Sequence, residues 1–177
     1  MNLEYIYLLD GSFHPGSKVW IYQASRLFAM SEALEIEDLL KEFTNQWQSH
    51  GTPVKGAGYL FFGQFIILMA DERATGVSGC STDSSVRLIK DIEQRFAVNM
   101  FERTTLAFAI KDKSDNYRIQ LLPLTQLQYA VDNGFINGDT LYFNNLVQTK
   151  EELEKEWIVP AKDSWLGKRF SFSESVS

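Results

Sequence analysis

Apolar and amphipathic stretches alternate along the first half of the chain and predict a strand, a helix and a hairpin. Residues 17–25 carry β-branched and aromatic side chains on both faces, which favours a central strand that is covered on both sides. A helix is predicted from Ser31, a candidate N-cap, up to the Gly and Pro at 49–53. Residues 57–72 predict a hairpin that turns at Gly63–Gln64 and has a continuously apolar second arm. The apolar positions of the helix are Ile36, Leu39, Leu40, Phe43 and Trp47.

The second half begins with another amphipathic helix and then becomes less regular. Val86, Ile89, Ile92 and Phe96 recur at helical spacing. The later predictions are a hairpin around residues 112–116, a short helix at 125–134, a short strand at 139–143, and an acidic helix whose capping box is Thr149 and Glu152.

The order strand, helix, hairpin, helix, strand predicts an α+β fold with a ferredoxin-like split βαβ antiparallel sheet. Two helices would cover one face, with an added hairpin and a C-terminal helical segment. A length of 177 residues favours a single domain over 1–177, with a core at about 17–124 and a C-terminal elaboration at about 125–170. The second sheet face also needs a cover, which the residues from Thr125 onwards or a second subunit in a homodimer would supply.

Composition and charge narrow the class of function. Apolar residues make up 45% of the chain, so there is material for a sizeable core. A net charge of −6 argues against a nucleic-acid partner, since phosphate contacts need clustered Lys and Arg. No run approaches the roughly 20 apolar residues of a membrane span, and the N-terminus lacks the basic region of a signal peptide. A cytoplasmic protein without membrane insertion is therefore expected, and its single cysteine excludes an intrachain disulfide.

The predicted fold order brings three loops to one end of the sheet. They are the loop before the first strand with His14, the exit of the first helix with His50 and Lys55, and the exit of the third strand, which leads to Cys80. A thiol at a helix N-terminus has a lowered pKa, so Cys80 could be a nucleophile with His50 as its base. The alternative is a small buried side chain, since free cysteine is often buried.

The same loop is a candidate anion site. Backbone amides at Ser78, Gly79 and Ser81 would face a phosphate-type ligand at the start of the helix, and Lys55 and Arg73 would add positive charge. The alternative is that Ser81 or Asp83 caps these amides. A metal site of His14, His50 and Cys80 has no recognisable ligand spacing, and neither a metal nor a cofactor is predicted.

The stretches "SKVWIYQASRLF" and "FIILMADERATGVSGCSTDSSVRLIKDIEQRF" resemble a family of short bacterial proteins often named automatically "ABC transporter ATPase". The resemblance covers about residues 17–170. The family has no established activity, so the resemblance implies no site residues. The chain lacks the G-x-x-x-x-G-K-[ST] motif that cradles nucleotide phosphates; "GTPVKG" at 51–56 has a lysine without that spacing. "VSGCS" at 77–81 is superficially like the LSGGQ signature of ABC ATPases. The sequence thus argues against ATP hydrolysis.

Taken together, these patterns predict a binding or interaction module without its own catalysis, whose partner is a protein or a small anionic ligand. The alternatives are a thiol-dependent enzyme or redox sensor that uses Cys80 with His50, and phosphate-type binding at residues 78–83.

Overall fold

A computed structural model describes residues 1–71, 73 and 79–172, with the side chains of residues 79–81 left outside the description. The fold is α+β, with helices and antiparallel sheets. The helices are α1 (Met30–Gln46), α2 (Gly79–Phe96), α3 (Leu127–Asp132), α4 (Lys150–Glu156) and α5 (Trp165–Arg169). The strands are β1 (Lys18–Gln23), β2 (Gln48–Ser49), β3 (Thr52–Pro53), β4 (Lys55–Phe61), β5 (Phe65–Asp71), β6 (Thr105–Lys111), β7 (Tyr117–Pro123), β8 (Leu141–Phe143) and β9 (Ile158–Pro160). Short 3₁₀ turns lie at Ile6–Leu8, Leu124–Gln126 and Ala161–Asp163.

The chain divides into two compact units. The first unit comprises Glu4–Glu102 and Val147–Glu154, and the second comprises Met1–Leu3, Arg103–Leu146 and Lys155–Ser177. The expected single domain, with its core at 17–124 and an elaboration at 125–170, stays a prediction. The segment Val147–Glu154 lies within the expected elaboration but packs with the first unit.

A three-stranded antiparallel sheet in the order β1-β5-β4 organises the first unit. Alternate β5 residues Ile66, Leu68 and Ala70 pack in one cluster with the buried stripes of α1 and α2, so both helices lie on the same face. The stripes match the expected spacing: Ile36 and Leu40 are buried in α1, and Ile89, Ile92 and Phe96 in α2. The helical periodicity of the apolar residues therefore predicted correctly which face of α1 and of α2 is buried.

Glycines on β4 allow α1 to approach this sheet closely. A Cβ on Gly56 would lie 2.5 Å from Cε3 of Trp47, and one on Gly58 would lie 3.1 Å from Cβ of Leu40. Both positions alternate with Ala57 and Tyr59 along the strand, so they point to the helix face. The absence of side chains at these two positions makes room for Trp47 and Leu40.

The second face of β5 is also fully buried, with Phe65, Ile67 and Met69 at 0% exposure. At the neighbouring strand β4, the N-terminal segment covers this face: the Asp10 amide donates to the Tyr59 hydroxyl at 3.0 Å, and the Tyr5 ring lies 5.8 Å from that of Phe61. Burial of β5 is complete within one chain, so it gives no reason of its own to invoke a second subunit.

The N-terminus of α1 and the hairpin turn differ in register from the sequence prediction. The helix starts at Met30 rather than after Ser31, because the carboxylate of Glu32 accepts a hydrogen bond from the Ala29 amide at 2.7 Å and satisfies that end. The turn between β4 and β5 places Phe62 (φ 55°) and Gly63 (φ 62°) at its centre, a type I′ pattern, instead of a type II′ turn at Gly63–Gln64.

The second unit is built on a four-stranded antiparallel sheet in the order β7-β6-β8-β9. Leu106 and Phe108 of β6 pack in a cluster with α3 and α5, including Leu127, Val131 and Leu166. The strand expected to be the fourth of a ferredoxin-like sheet, β6, thus pairs with β7 and β8 in this sheet. The local pattern identified β6 as a strand, but pairing depends on residues far away in sequence, here β8.

Candidate functional site

A groove of about 410 Å³ lies in the first unit where α1 ends and α2 passes. Its volume falls within the usual range for small-ligand sites, roughly 300–1,000 Å³. Its lining comes from both helices and β2: Phe43, Gln46, Trp47, Gln48, Ser84, Arg87, Leu88 and Asp91. On α2, these residues follow the spacing i, i+3, i+4, i+7, which defines a single helix face.

Trp47 is the lining residue that its neighbours hold in place. It ends α1 with an extended backbone, and its carbonyl accepts a hydrogen bond from the Val54 amide at 2.9 Å. The Trp47 ring is 4.9 Å from the Phe43 ring and 5.9 Å from the Trp20 ring, centroid to centroid, and it fills the space left open at Gly56. Held on three sides and only 3% exposed, Trp47 forms the rigid inner part of an aromatic wall whose accessible side chain is the half-buried Phe43.

The rim of the groove is polar and carries both signs of charge. Gln46, Gln48, Arg87 and Asp91 are exposed there. Arg87 and Asp91 are four residues apart on α2, yet no ion pair joins either of them to another residue in the described ranges. A basic residue preceding an acidic one by four is the less favourable order for pairing on a helix. Both charges are therefore available to a ligand.

Parts of the three loops that the sequence placed at one end of the sheet lie together. Lys55 lies opposite Asp71 in the β4–β5 register, and its ammonium donates to the Ser12 carbonyl at 2.7 Å. The same ammonium stands 4.6 Å from the centre of the Phe13 ring. Lys55 thus fastens the N-terminal segment to the end of the sheet, and an anion at Lys55 would have to compete with these contacts.

Arg73 also has an intramolecular partner. Its guanidinium donates to both carboxylate oxygens of Asp71, with Nε 3.0 Å from Oδ1 and Nη2 2.7 Å from Oδ2. This bidentate pair holds the pKa of the Asp71 carboxyl well below its usual range, and it raises the pKa of Arg73. Asp71 is buried while Arg73 is largely exposed, so the arginine neutralises the carboxylate from the solvent side.

The two histidines lie in turns. His14 is exposed, and its Nδ1 accepts a hydrogen bond from the Gly16 amide at 3.0 Å. His50 (φ 51°) and Gly51 (φ 80°) form the two-residue connection between β2 and β3, again a type I′ pattern. His50 is exposed at the tip of this hairpin, two residues beyond Gln48 of the groove.

The thiol and anion hypotheses fall largely outside the described residues. Helix α2 begins at Gly79, which puts the backbone of Cys80 in its first turn. Ser78 lies outside the described residues, as do the side chains of Cys80 and Ser81. The Cys80–His50 pair and the anion site at Ser78, Gly79 and Ser81 with Lys55 and Arg73 therefore stay hypotheses.

Sequence reasoning missed the groove itself. Phe43 and Trp47 were recognised only as part of a core stripe, and Leu88 and Arg87 were not singled out. One sequence feature could have indicated the groove. A Trp at a helix end, together with glycines at positions 56 and 58 of a strand, indicates that the helix packs closely on the sheet. Bringing α2 to that Trp requires contacts between segments about 40 residues apart in sequence, which periodicity does not encode.

A comparison with known proteins finds no relative. The chain matches no family model, no curated protein and no solved structure.

Among the described residues, no group of three or more His, Cys, Asp or Glu side chains is arranged to hold a metal ion. Each helix in the described ranges falls short of the length and apolar character needed to cross a bilayer.

Proposed function

We propose that this protein is a binding module without its own catalysis, and that its ligand occupies the groove between α1 and α2. The observation that carries the proposal is the combination of a rigid aromatic wall, formed by Trp47 and Phe43, with a polar rim. Ligand sites typically join such apolar surfaces to a few polar groups that fix orientation. The lining includes Ser84 and Asp91 but, in the described part, no histidine, cysteine or lysine, so the groove holds no Ser–His or Cys–His pair of nucleophile and base.

The rim defines the class of ligand. Arg87 offers a planar donor for a carboxylate, and Asp91 offers an acceptor for an ammonium group. Gln46 and Gln48 can each donate to and accept from an amide. A small zwitterion with an apolar or aromatic body, such as a free amino acid or a dipeptide, satisfies all of these groups together.

A ligand panel tests this assignment. Free amino acids and dipeptides with apolar or aromatic side chains should raise the melting temperature of the protein, and calorimetry then gives their affinity. Nucleotides and simple sugars serve as the comparison classes. We expect Arg87→Ala and Asp91→Asn each to weaken binding about tenfold or more, because hydrogen bonds to charged groups contribute roughly 1.5–3 kcal/mol.

Lys90→Ala is the matched control, since Lys90 is exposed on α2 but does not line the groove. Acetylating the amino group of the best ligand should cost the same affinity as Asp91→Asn, and the two changes together should cost no more than either alone. A panel in which no zwitterion stabilises the protein, or a ligand whose affinity survives both substitutions, would refute the groove assignment.

Four further expectations are carried forward with this proposal. The first unit would be a ferredoxin-like variant that keeps the β1-β5-β4 order without the fourth strand. The protein would be cytoplasmic, which cell fractionation tests, and a homodimer would appear by light scattering as twice the chain mass. The thiol alternative predicts fast labelling of Cys80 by iodoacetamide at neutral pH, and a thiol that reacts only after denaturation would end it.

A further inference from the structure

The start of α1 and the residues just before it expose large apolar side chains. Leu27, Met30 and Leu34 are 57%, 78% and 59% exposed. Leu27 also lies beside the β4–β5 turn, with its Cδ2 4.0 Å from the position that a Cβ on Gly63 would take. Single exposed leucines are ordinary, but three large apolar side chains exposed between positions 27 and 34 are a feature typical of interaction surfaces.

The same helix face continues as an acidic row. Met30 and Leu34 are followed at helical spacing by Glu37 and Asp38, and then by Lys41 and Glu42. Glu37, Asp38 and Glu42 are exposed, and in the described ranges they form no ion pair. The face therefore presents an apolar patch and, one to two turns further, three carboxylates beside a single lysine, so it stays acidic. We call these seven residues (Leu27, Met30, Leu34, Glu37, Asp38, Lys41 and Glu42) the α1 face.

The other carboxylates of α1 are already neutralised. Glu32 receives two hydrogen bonds from the guanidinium of Arg26, at 2.8 and 2.9 Å, and Glu35 is paired with Arg95 of α2. The helix thus keeps its internal acidic residues paired and leaves the outward ones free. This asymmetry points to a partner that supplies the missing positive charge.

We propose that the α1 face docks a basic amphipathic helix of a partner protein. Leucine-like side chains of that helix would cover Leu27, Met30 and Leu34, while its Lys and Arg residues would lie against Glu37, Asp38 and Glu42. Charge complementarity selects this occupant over a second copy of the chain, because self-docking through the α1 face would bring its own carboxylates together.

Designed peptides test the proposal on the full-length protein. An amphipathic helical peptide of roughly 18 residues built from Leu and Lys is compared with one of the same pattern built from Leu and Glu. By fluorescence anisotropy, the Lys peptide should bind about tenfold more tightly or better, and its affinity should fall at high salt. Met30→Ser with Leu34→Ser should weaken its binding about tenfold.

The charges are tested by matched triple substitutions. Glu37→Gln, Asp38→Asn and Glu42→Gln together should weaken binding of the Lys peptide and reduce its salt dependence. Removing the same number of charges from exposed positions of the second unit, Asp132→Asn, Glu156→Gln and Asp163→Asn, should leave binding unchanged. Leu146→Ser, at a leucine that is 64% exposed in the second unit, controls for the apolar substitutions.

Several results would overturn the proposal. Equal losses from the two charge triples would mean that the Lys peptide senses only the net charge of the protein. Equal binding of both peptides would show that the α1 face does not prefer a basic helix. If the protein self-associates and Met30→Ser with Leu34→Ser abolishes this self-association, the occupant is a second copy of the chain. The groove proposal rests on Arg87 and Asp91 and is tested by different ligands, so either proposal can fail alone.

Discussion

The two ends of helix α1 face the same sheet but present opposite surfaces to solvent. At the C-terminal end, Phe43 and Trp47 are packed against each other, and the exposed groups around them are polar. At the N-terminal end, Met30 and Leu34 are exposed, and the groups that follow are acidic. About 25 Å of helix separates the two ends, at ~1.5 Å per residue.

Local backbone features account for this difference. At the C-terminal end, Gly56 leaves a space in the sheet that Trp47 enters, so the aromatic side chain packs inward and a groove opens beside it. At the N-terminal end, the nearby turn carries Phe62 and Gly63, and Leu27 lies at the surface beside it. One helix can therefore contribute to a small-ligand groove at one end and to a protein-docking face at the other.

The largest expected difference between outer and inner positions of α1 is in stability. Leu40 is 1% exposed and Leu34 is 59% exposed, and both are leucines on the same helix. Leu40→Ala should lower the free energy of unfolding by about 2–5 kcal/mol through lost burial and the cavity left behind. Leu34→Ala should change it by less than about 0.5 kcal/mol. Urea denaturation followed by tryptophan fluorescence measures both. Similar losses for the two variants would mean that Leu34 is packed in solution and that the α1 face is already covered.

Gly56 is expected to have the next largest effect, and it acts at the groove end. Gly56→Ala forces a methyl group against the Trp47 ring and should cost about 1–3 kcal/mol of stability, as overpacked cores do. It should also weaken ligand binding in the groove, since the aromatic wall moves, while leaving peptide binding at the α1 face unchanged.

The matched control is Gly11→Ala in the same unit, where an added Cβ meets no atom within 4 Å. Equal unfolding free energies for Gly56→Ala and Gly11→Ala would show that Trp47 does not fill the space above Gly56. If Gly56→Ala instead weakened the groove and the α1 face alike, the two ends would not be independent.

Much of the first unit could be predicted from the sequence because burial repeats along each element. The stripes of α1 and α2 were identified correctly, since Ile36, Leu40, Ile89 and Ile92 recur at helical spacing and all four are buried. The capping box of α4 was also correct: the Glu152 amide donates to Thr149 Oγ1 at 3.2 Å. Helical periodicity and capping motifs predicted these features correctly because each depends on residues close together in sequence.

The parts that sequence reasoning missed have non-local causes. Phe62 adopts a positive φ that its residue type disfavours, and contacts of its ring with Tyr5 and Phe65 accompany that conformation. Strand β6 was recognised, but its pairing with β8 depends on a strand about 30 residues further along the chain. The groove likewise forms only when α2 is laid beside Trp47.

The smallest expected effect is a pH dependence at the N-terminal end of α1. The guanidinium of Arg26, followed by the Ala29 amide, lowers the pKa of Glu32 from its ordinary value of 4.5 to about 2. A folded-state pKa below the unfolded one stabilises the fold above the unfolded value, and this contribution is lost as pH falls from 4.5 towards 2. The difference in urea midpoint between the wild type and Glu32→Gln should therefore be greatest near neutral pH and shrink through this window. Glu37→Gln, which removes a carboxylate without an ion pair in the described ranges, is the control for the loss of one acidic side chain. A Glu32→Gln difference that is constant with pH would mean that Arg26 does not hold this carboxylate in solution. The start of α1, which presents Met30 and Leu34 to solvent, would then depend on packing alone.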